Sequence, residues 1–203
     1  MKHNMKIITF ENEQEWLDAR MGKITGTRLG NLLSKRDKKP LKGYYELIAE
    51  RVAIPADNEN VMDRGHRLED EAIERFAEET GKKVNTDLVI WQREDEENIA
   101  LSPDGFIGQT EAVEVKCLNS ASHIEAYLTK EIPKEYEHQV LQYFIVNDKL
   151  KKLYFVFYDP RMPKDFFYLQ VIRADIKEQI DEYLEIEKRV LQEIKEIERQ
   201  LTF

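Results

Sequence analysis

Cysteine is almost absent from this chain, since Cys117 is the only one among 203 residues. A single cysteine forms no internal disulfide and cannot hold a four-cysteine metal cluster, which fits a reducing compartment. Long apolar runs are also missing, and none approaches the roughly 20 residues that span a bilayer. The first residues, MKHNMKIITFENEQEW, turn acidic too early for a signal peptide. We therefore expect a cytoplasmic protein without a membrane segment.

A net positive charge is missing too, because the formal charge is −9. Such a balance argues against a protein that binds nucleic acid over its whole surface. Net charge hides distribution, however. Between residues 20 and 42, one acid, Asp37, accompanies a run of basic residues: Arg20, Lys23, Arg28, Lys35, Arg36, Lys38, Lys39 and Lys42. This stretch is either a basic face that meets DNA or a solvated loop, and the charge pattern leaves both interpretations open.

The apolar spacing predicts helices and strands without repeats or a low-complexity linker, which indicates one domain over residues 1–203. Four helices are predicted first, over 11–20, 25–35, 43–53 and 64–81, the last ending at Gly81. Three strands joined by short turns are predicted next, over 83–92, 98–108 and 112–118. The pattern then predicts helices over 121–130 and 134–147, strands over 152–159 and 166–175, and a last helix from about 175 to 199. This order indicates a mixed α/β domain.

The stretch SPDGFIGQTEAVEVKC, residues 102–117, carries three charged side chains that a strand pair would bring together. Asp104 follows a proline at a bend, while Glu114 and Lys116 are two residues apart and so project from one face of the next strand. A turn at Gln109–Thr110 would place Asp104 beside Glu114, where two carboxylates repel unless a proton or a cation lies between them. Mg²⁺ or Mn²⁺ suits such oxygen ligands. Lys116 would then orient a water or stabilise charge on a phosphoryl group.

The same residues also fit a surface hairpin with alternating exposed charges. The strand AVEVKCL is apolar on its other face, where Val113 and Val115 lie opposite Glu114 and Lys116. If this strand is central in the sheet, burying a Glu and a Lys is costly unless they serve a function. The pattern therefore favours a metal site that hydrolyses phosphodiesters over a plain hairpin.

These residues resemble the PD-(D/E)xK nuclease signature, and the resemblance continues along the chain. EWLDARMGKITGTRLGNLL, LEDEA, SPDG…EVKC, HQVLQY and YDPRM resemble, in order, the sequence blocks of the lambda-exonuclease family, also called YqaJ-type viral recombinases. The blocks span residues 15–162, about three quarters of the chain. The resemblance implies a restriction-endonuclease-like α/β core, in which helices flank a central mixed β-sheet.

Members of this family digest one strand of linear double-stranded DNA in the 5′→3′ direction and leave a 3′ overhang for a single-strand annealing protein. The resemblance therefore implies a Mg²⁺-dependent exonuclease of phage or prophage recombination, acting in a bacterial host cell. It also implies a homotrimeric ring around DNA, which would give processivity without a strong positive charge. The apolar stripe of the last helix fits packing on its own domain as well as subunit contacts.

By the motif resemblance, two metal ions would be bound by four oxygen ligands: the carboxylates of Glu69, Asp104 and Glu114 and the main-chain carbonyl of Val115. Lys116 would position or activate the attacking water, so Asp104, Glu114 and Lys116 form the expected catalytic set. Taken alone, Glu69 is one of several acids on an amphipathic helix, and Asp70 or Glu71 is the alternative one step away. Either Mg²⁺ or Mn²⁺ is compatible with this set.

A second group of residues would hold the DNA. The resemblance implies that Arg20 binds the 5′-phosphate with the hydroxyls of Thr27 and Ser102, a task that suits a guanidinium fork near a helix N-terminus. Taken alone, Arg20 also fits a surface cation that caps its own helix. Gln139 and Tyr143 share one helical face and would contact the DNA backbone or support the metal ligands, although Tyr143 by itself is typical of a core residue. The YDPRM block receives no role from the sequence.

Two other functions remain consistent with the sequence. The first is another nuclease on the same core, either an endonuclease or a Cas4-like or RecB-like enzyme, although one cysteine cannot hold the iron–sulfur cluster of a Cas4-like protein. The second is a catalytically silent DNA-binding protein. The presence of Asp104, Glu114 and Lys116 argues against that alternative.

Overall fold

A computed structural model describes residues 39–53 and 61–201, together with the isolated residues 15, 34 and 36. Within these ranges, the side chains of residues 51, 61–67, 193–195 and 197–201 are not described. The helices predicted over 11–20 and 25–35 therefore lie outside the described residues, apart from the helical Glu15. Arg20 and Thr27 lie outside them as well.

The described chain contains the helices α1 (Lys42–Val52), α2 (Val61–Thr80), α3 (Ser120–Thr129), α4 (Glu137–Val146) and α5 (Lys177–Leu201). Its strands are β1 (Trp91–Gln92), β2 (Ala100–Leu101), β3 (Gly105–Ile107), β4 (Glu111–Lys116), β5 (Lys152–Tyr158) and β6 (Phe166–Ile172). Short 3-10 turns, Lys134–Tyr136 and Arg173–Ile176, lead into α4 and α5. Among the described helices, none combines the length and the apolarity that crossing a bilayer requires.

A four-stranded mixed sheet organises the fold, with strands in the order β3-β4-β5-β6. The two central strands, β4 and β5, are parallel, and each has an antiparallel partner on its outer side. A separate two-stranded antiparallel sheet joins β1 to β2. The mixed α/β class predicted from the sequence is confirmed, and the charged strand β4 is indeed central.

Helices cover both faces of this sheet, because β5 is apolar on both sides and β4 is apolar on the side of Val113 and Val115. On one face, α2 packs Ala72, Ile73 and Phe76 against alternate strand residues: Val113, Val115, Tyr154, Val156 and Phe166. On the other face, α4 packs Tyr143 and Phe144 into a larger core that contains Ala112, Leu153, Phe155 and Phe157. The last helix packs on the same core through Ile180, Tyr183, Leu184 and Leu191, whereas Val190 of its apolar stripe is exposed.

Two predicted strands differ from the structure. The strand predicted over 83–92 is wrong over most of its length: beyond β1, it contributes an isolated bridge between Asn85 and Phe106. The Asn85 Oδ1 accepts a 2.7 Å hydrogen bond from the Asp87 N–H, and such a local turn competes with strand pairing. The strand predicted over 98–108 divides at residues 102–104 into β2 and β3, which belong to different sheets.

Candidate active site

The β3–β4 hairpin brings Asp104 beside the end of β4. Gly105 pairs with Val113, so Asp104 lies level with Glu114, as the turn at residues 109–110 predicts. The Asp104 Oδ2 accepts a 2.8 Å hydrogen bond from the Val115 N–H. The close approach of β3 to Val84 depends on Gly105, since a Cβ at this residue would lie 2.6 Å from the Val84 Cγ1.

The backbone of β4 is open beside this carboxylate. Backbone pairing between β3 and β4 ends at Gly105 and Val113. The next N–H on that side of β4, that of Val115, donates to the Asp104 carboxylate and not to a strand backbone. In an antiparallel ladder, the N–H and C=O of one residue point to the same side of the strand. The carbonyl oxygen of Val115 therefore points to the side where Asp104 lies, as required of a backbone ligand there.

Glu114 projects from the opposite face of β4 to Val113 and Val115, and only 1% of it is exposed. Helix α4 supplies two donors one turn apart: Gln139 Nε2 donates to Oε1 and the Tyr143 hydroxyl donates to Oε2, each at 2.5 Å. Lys116 Nζ donates to Oε1, also at 2.5 Å. Three donors thus orient one buried carboxylate, and each favours its charged form.

Burial and neighbouring negative charges raise the pKa of both carboxyl groups. Burial and the nearby charge of Asp104 raise the pKa of Glu114 to about 7, although Lys116 and Tyr143 act in the opposite direction. Burial also raises the pKa of Asp104, and the charge of Glu69 contributes to that increase. Poorly solvated carboxylates that repel each other are stabilised by a cation placed between them.

Glu69 on α2 is the acid of its helix whose charge acts on Asp104. Its neighbour Glu71 instead accepts a 3.1 Å hydrogen bond from the Tyr158 hydroxyl, and Asp70 is exposed. Among these three acids, Glu69 is thus the one whose charge raises the pKa of Asp104, and its role as a metal ligand stays a prediction.

The site offers oxygen donors that suit a hard divalent cation. In the part of the chain that the structure describes, no three His, Cys, Asp or Glu side chains form a complete metal-binding cluster. The Asp104 carboxylate and the Val115 carbonyl nevertheless lie on one side of β4, with Glu114 beside them. Mg²⁺ and Mn²⁺ prefer such donors and retain several waters, so the residues present fit either ion.

Tyr136 is a contact that the sequence did not single out. It belongs to the 3-10 turn that precedes α4, and the Lys116 Nζ lies 5.1 Å from its ring centroid. Lys116 is thus held between a carboxylate and an aromatic face, an arrangement that stabilises an ammonium group. The signal available in the sequence was a tyrosine one helical turn before Gln139.

The DNA-binding residues expected from the sequence are only partly visible. Ser102 is exposed, two residues before Asp104, and its hydroxyl donates a 2.9 Å hydrogen bond to the Val89 carbonyl. Gln139 is half-buried against Glu114. Arg20 and Thr27 lie outside the described residues. Of the expected DNA-binding residues, Gln139 therefore contacts the Glu114 carboxylate and Ser102 precedes Asp104 by two residues.

Comparison with known proteins agrees with this geometry. The model of the YqaJ-like viral recombinase domain matches residues 15–149. The chain is similar to the crystal structure of an alkaline exonuclease, LHK-Exo from Laribacter hongkongensis, with 28% identity and a TM-score of 0.55. The crystal structure of LHK-Exo in complex with dAMP gives the same identity and a TM-score of 0.54. Each alignment covers 93% of this chain and 100% of the other. No curated protein matches the sequence. The sheet and its flanking helices are thus consistent with a PD-(D/E)xK-like core.

Proposed function

Because the chain belongs to the YqaJ-like viral recombinase domain family and is a nuclease of that family, we propose that it is a divalent-metal-dependent 5′→3′ exonuclease. Its substrate would be linear double-stranded DNA, of which it would degrade one strand. The remaining 3′ overhang would serve a single-strand annealing protein during recombination.

One observation carries this proposal. Asp104 and Glu114 meet at the end of a central strand, where Lys116 contacts Glu114 at 2.5 Å. Burying Glu114 on a central strand, with Asp104 and Lys116 partly buried beside it, is unfavourable without a compensating role. A phosphodiester-cleaving site needs the same components: oxygen ligands for a cation and a positive group for the phosphoryl oxygens.

The cation ligands would be Glu69, Asp104, Glu114 and the Val115 carbonyl. Two Mg²⁺ ions held there, or Mn²⁺ in their place, would supply Lewis acidity at the scissile phosphate and would lower the pKa of a bound water. Around them, this chain's own residues hold the geometry. Gln139 and Tyr143 fix the Glu114 carboxylate from α4, and the complete burial of Tyr143 keeps bulk water away from that side.

Lys116 would position the attacking water. Its ammonium group is compact and has three donors, and it reaches the site from the same face as Glu114. The Tyr136 ring limits its movement on one side. As the water attacks, Lys116 would also stabilise the negative charge that develops on the phosphoryl oxygens.

Recognition of the DNA end would involve Arg20, Thr27 and Ser102 at the 5′-phosphate, with Gln139 near the backbone. Gripping a terminal phosphate would confine cleavage to the strand that starts with it. We further propose one exonuclease domain over residues 1–203 and a homotrimeric ring, acting in the cytoplasm of a bacterial host.

End-labelled DNA tests this function. A linear duplex labelled at one 5′ end or one 3′ end is incubated with Mg²⁺ or EDTA, beside a covalently closed circle. The proposal predicts metal-dependent release of mononucleotides from the 5′-labelled strand, while the circle stays intact. Cutting of the circle would indicate an endonuclease instead, and absence of cleavage with every divalent ion would favour a silent DNA-binding protein.

A further inference from the structure

We propose that Tyr158, the first residue of the YDPRM block, is a positioning residue: through Glu71 it fixes α2 on the sheet and so determines where Glu69 lies relative to Asp104. The inference rests on the proposed metal-binding role of Glu69. It gives the YDPRM block a function that the sequence alone does not supply.

Tyr158 lies at the edge of the sheet that carries the candidate site. It ends β5, which runs parallel to β4, and Phe157 is level with Lys116. The carboxyl ends of neighbouring parallel strands lie at the same edge of a sheet. The chain therefore leaves β5 beside the point where β4 presents Lys116.

The Tyr158 side chain joins β5 to α2 in two ways. Its ring packs against the apolar cluster between α2 and the sheet, on the same side as Cys117. Its hydroxyl donates a 3.1 Å hydrogen bond to the Glu71 Oε2. Burial and the charge of Glu71 raise the pKa of Tyr158 to about 12, so the hydroxyl stays protonated and remains a donor at neutral pH.

Helix geometry explains why this contact bears on Glu69. Residues two apart on an α-helix point about 200° away from each other around the axis. Glu71 accepts the hydrogen bond of Tyr158 at the end of β5, whereas Glu69 shares a face of α2 with Ile73 and its charge acts on Asp104. A hydrogen bond that fixes the direction of one acid therefore fixes the direction of the other.

Two kinds of described contact restrain α2 on the sheet. Ala72, Ile73 and Phe76 hold the helix by close apolar packing. The hydrogen bond from Tyr158 to Glu71 adds a directional restraint with a charged acceptor. This restraint limits the small rotations of α2 that would move the Glu69 carboxylate.

The test measures Mn²⁺ binding by titration calorimetry on the full chain without DNA. Tyr158→Phe and Glu71→Ala should each weaken Mn²⁺ binding about 10-fold, because residues that orient a metal ligand have effects of this size. Glu71→Gln keeps an acceptor oxygen for the Tyr158 hydroxyl and should bind Mn²⁺ nearly as the unmodified chain does. The double variant Tyr158→Phe/Glu71→Ala should bind no more weakly than either single variant.

Two control variants separate the possible outcomes. Tyr168→Phe removes a hydroxyl from another ring that packs on Phe76 of α2, and it should leave Mn²⁺ affinity unchanged. Glu69→Gln should weaken binding at least as much as Tyr158→Phe. If Glu69→Gln has no effect, its metal role and this inference are both wrong. If Glu69→Gln weakens binding while Tyr158→Phe does not, only the positioning role of Tyr158 is overturned. The same conclusion follows if the losses of affinity in Tyr158→Phe and Glu71→Ala add up in the double variant.

Discussion

Glu114 receives its three hydrogen bonds from donors that differ in exposure and freedom. Tyr143 is buried completely and is fixed by the core, whereas Gln139 and Lys116 are both half-buried. Lys116 differs from Gln139 in its longer and more flexible side chain. The two α4 residues are therefore suited to hold the carboxylate, while Lys116 has the freedom to exchange a carboxylate contact for a water or a phosphoryl oxygen.

Replacing Lys116 tests this division of tasks. Lys116→Met keeps much of the side-chain length but removes the ammonium group, so cleavage of linear DNA should fall by about 100-fold or more. DNA binding, measured by mobility shift in Ca²⁺, should be preserved. Lys152→Met is the matched control, because Lys152 also lies over a tyrosine ring, 5.4 Å from the Tyr154 centroid, but at the far end of the neighbouring strand. Equal losses in the two variants would remove the assignment of Lys116.

At the scale of elements, the site depends on how closely β3 approaches the residues before it. Gly105 leaves no room for a side chain against Val84, and it immediately follows Asp104. The position of β3 therefore determines the position of the Asp104 carboxylate. A second side-chain contact joins two elements at the end of β5, where Asp159 accepts a hydrogen bond from Ser120, the first residue of α3.

Gly105→Ala should displace β3 and move Asp104 away from the Val115 N–H. We expect a loss of about 1–3 kcal/mol in the free energy of unfolding, measured by urea denaturation, together with lower nuclease activity. Adding Val84→Ala provides the missing space, so the double variant should recover activity. If Val84→Ala gives no recovery, the close approach at Gly105 does not control the position of Asp104.

Asp159 should stabilise the fold in a pH-dependent way. It is 1% exposed, and it accepts hydrogen bonds from the Ser120 hydroxyl at 2.5 Å and from two Arg161 nitrogens at 2.8 and 2.9 Å. Burial alone would raise the pKa of Asp159, but the Arg161 and Ser120 hydrogen bonds outweigh burial and hold that pKa below its ordinary value. A lowered carboxyl pKa stabilises the folded state above the pKa of the unfolded chain.

Asp159→Asn should therefore reduce the free energy of unfolding by about 2 kcal/mol at pH 7. The difference from the unmodified chain should shrink as the pH falls below about 4 and the native carboxylate becomes protonated. Urea denaturation at several pH values measures this difference in the free energy of unfolding. Asp165→Asn is the control, since Asp165 contributes its backbone carbonyl to the same turn. A difference that is constant from pH 7 to pH 3 would contradict the account.

The sequence was sufficient to locate elements that have strong periodicity, and insufficient where a partner decides the outcome. β4 and β5 were predictable because their alternation and apolar content require a central position. Alternation over 83–92 was misleading, because alternation does not reveal whether a partner strand is present. The pairing of Asp104 with Glu114 followed from turn geometry. The contacts of Tyr136 and Asp159 could not be predicted, because they arise from the way turns pack on neighbouring elements.

At the scale of the whole molecule, the net charge of −9 must be reconciled with a DNA substrate. A ring that encloses DNA would remain bound by topology, and it would not need the dense phosphate contacts that make ordinary DNA binding salt-dependent. The basic stretch between residues 20 and 42 would then be sufficient to engage the entering end.

The proposed ring predicts an assembly of three chains of 24.1 kDa each. Light scattering coupled to size-exclusion chromatography measures the mass directly. A symmetric ring has closed point-group symmetry, so the mass should stay constant over a wide range of protein concentration. A stable monomer, or a mass that grows steadily with concentration, would contradict this assembly.

The most direct test of the account compares two glutamates on one strand. Glu114→Gln and Glu111→Gln each remove one charge from β4, but Glu114 lies beside Asp104 whereas Glu111 pairs with Lys82 at the other end of the strand. The measurement is Mg²⁺-dependent release of nucleotides from linear duplex DNA. The account predicts a loss of about 100-fold or more for Glu114→Gln and activity close to that of the unmodified chain for Glu111→Gln. Full activity in Glu114→Gln would contradict the assignment of this site.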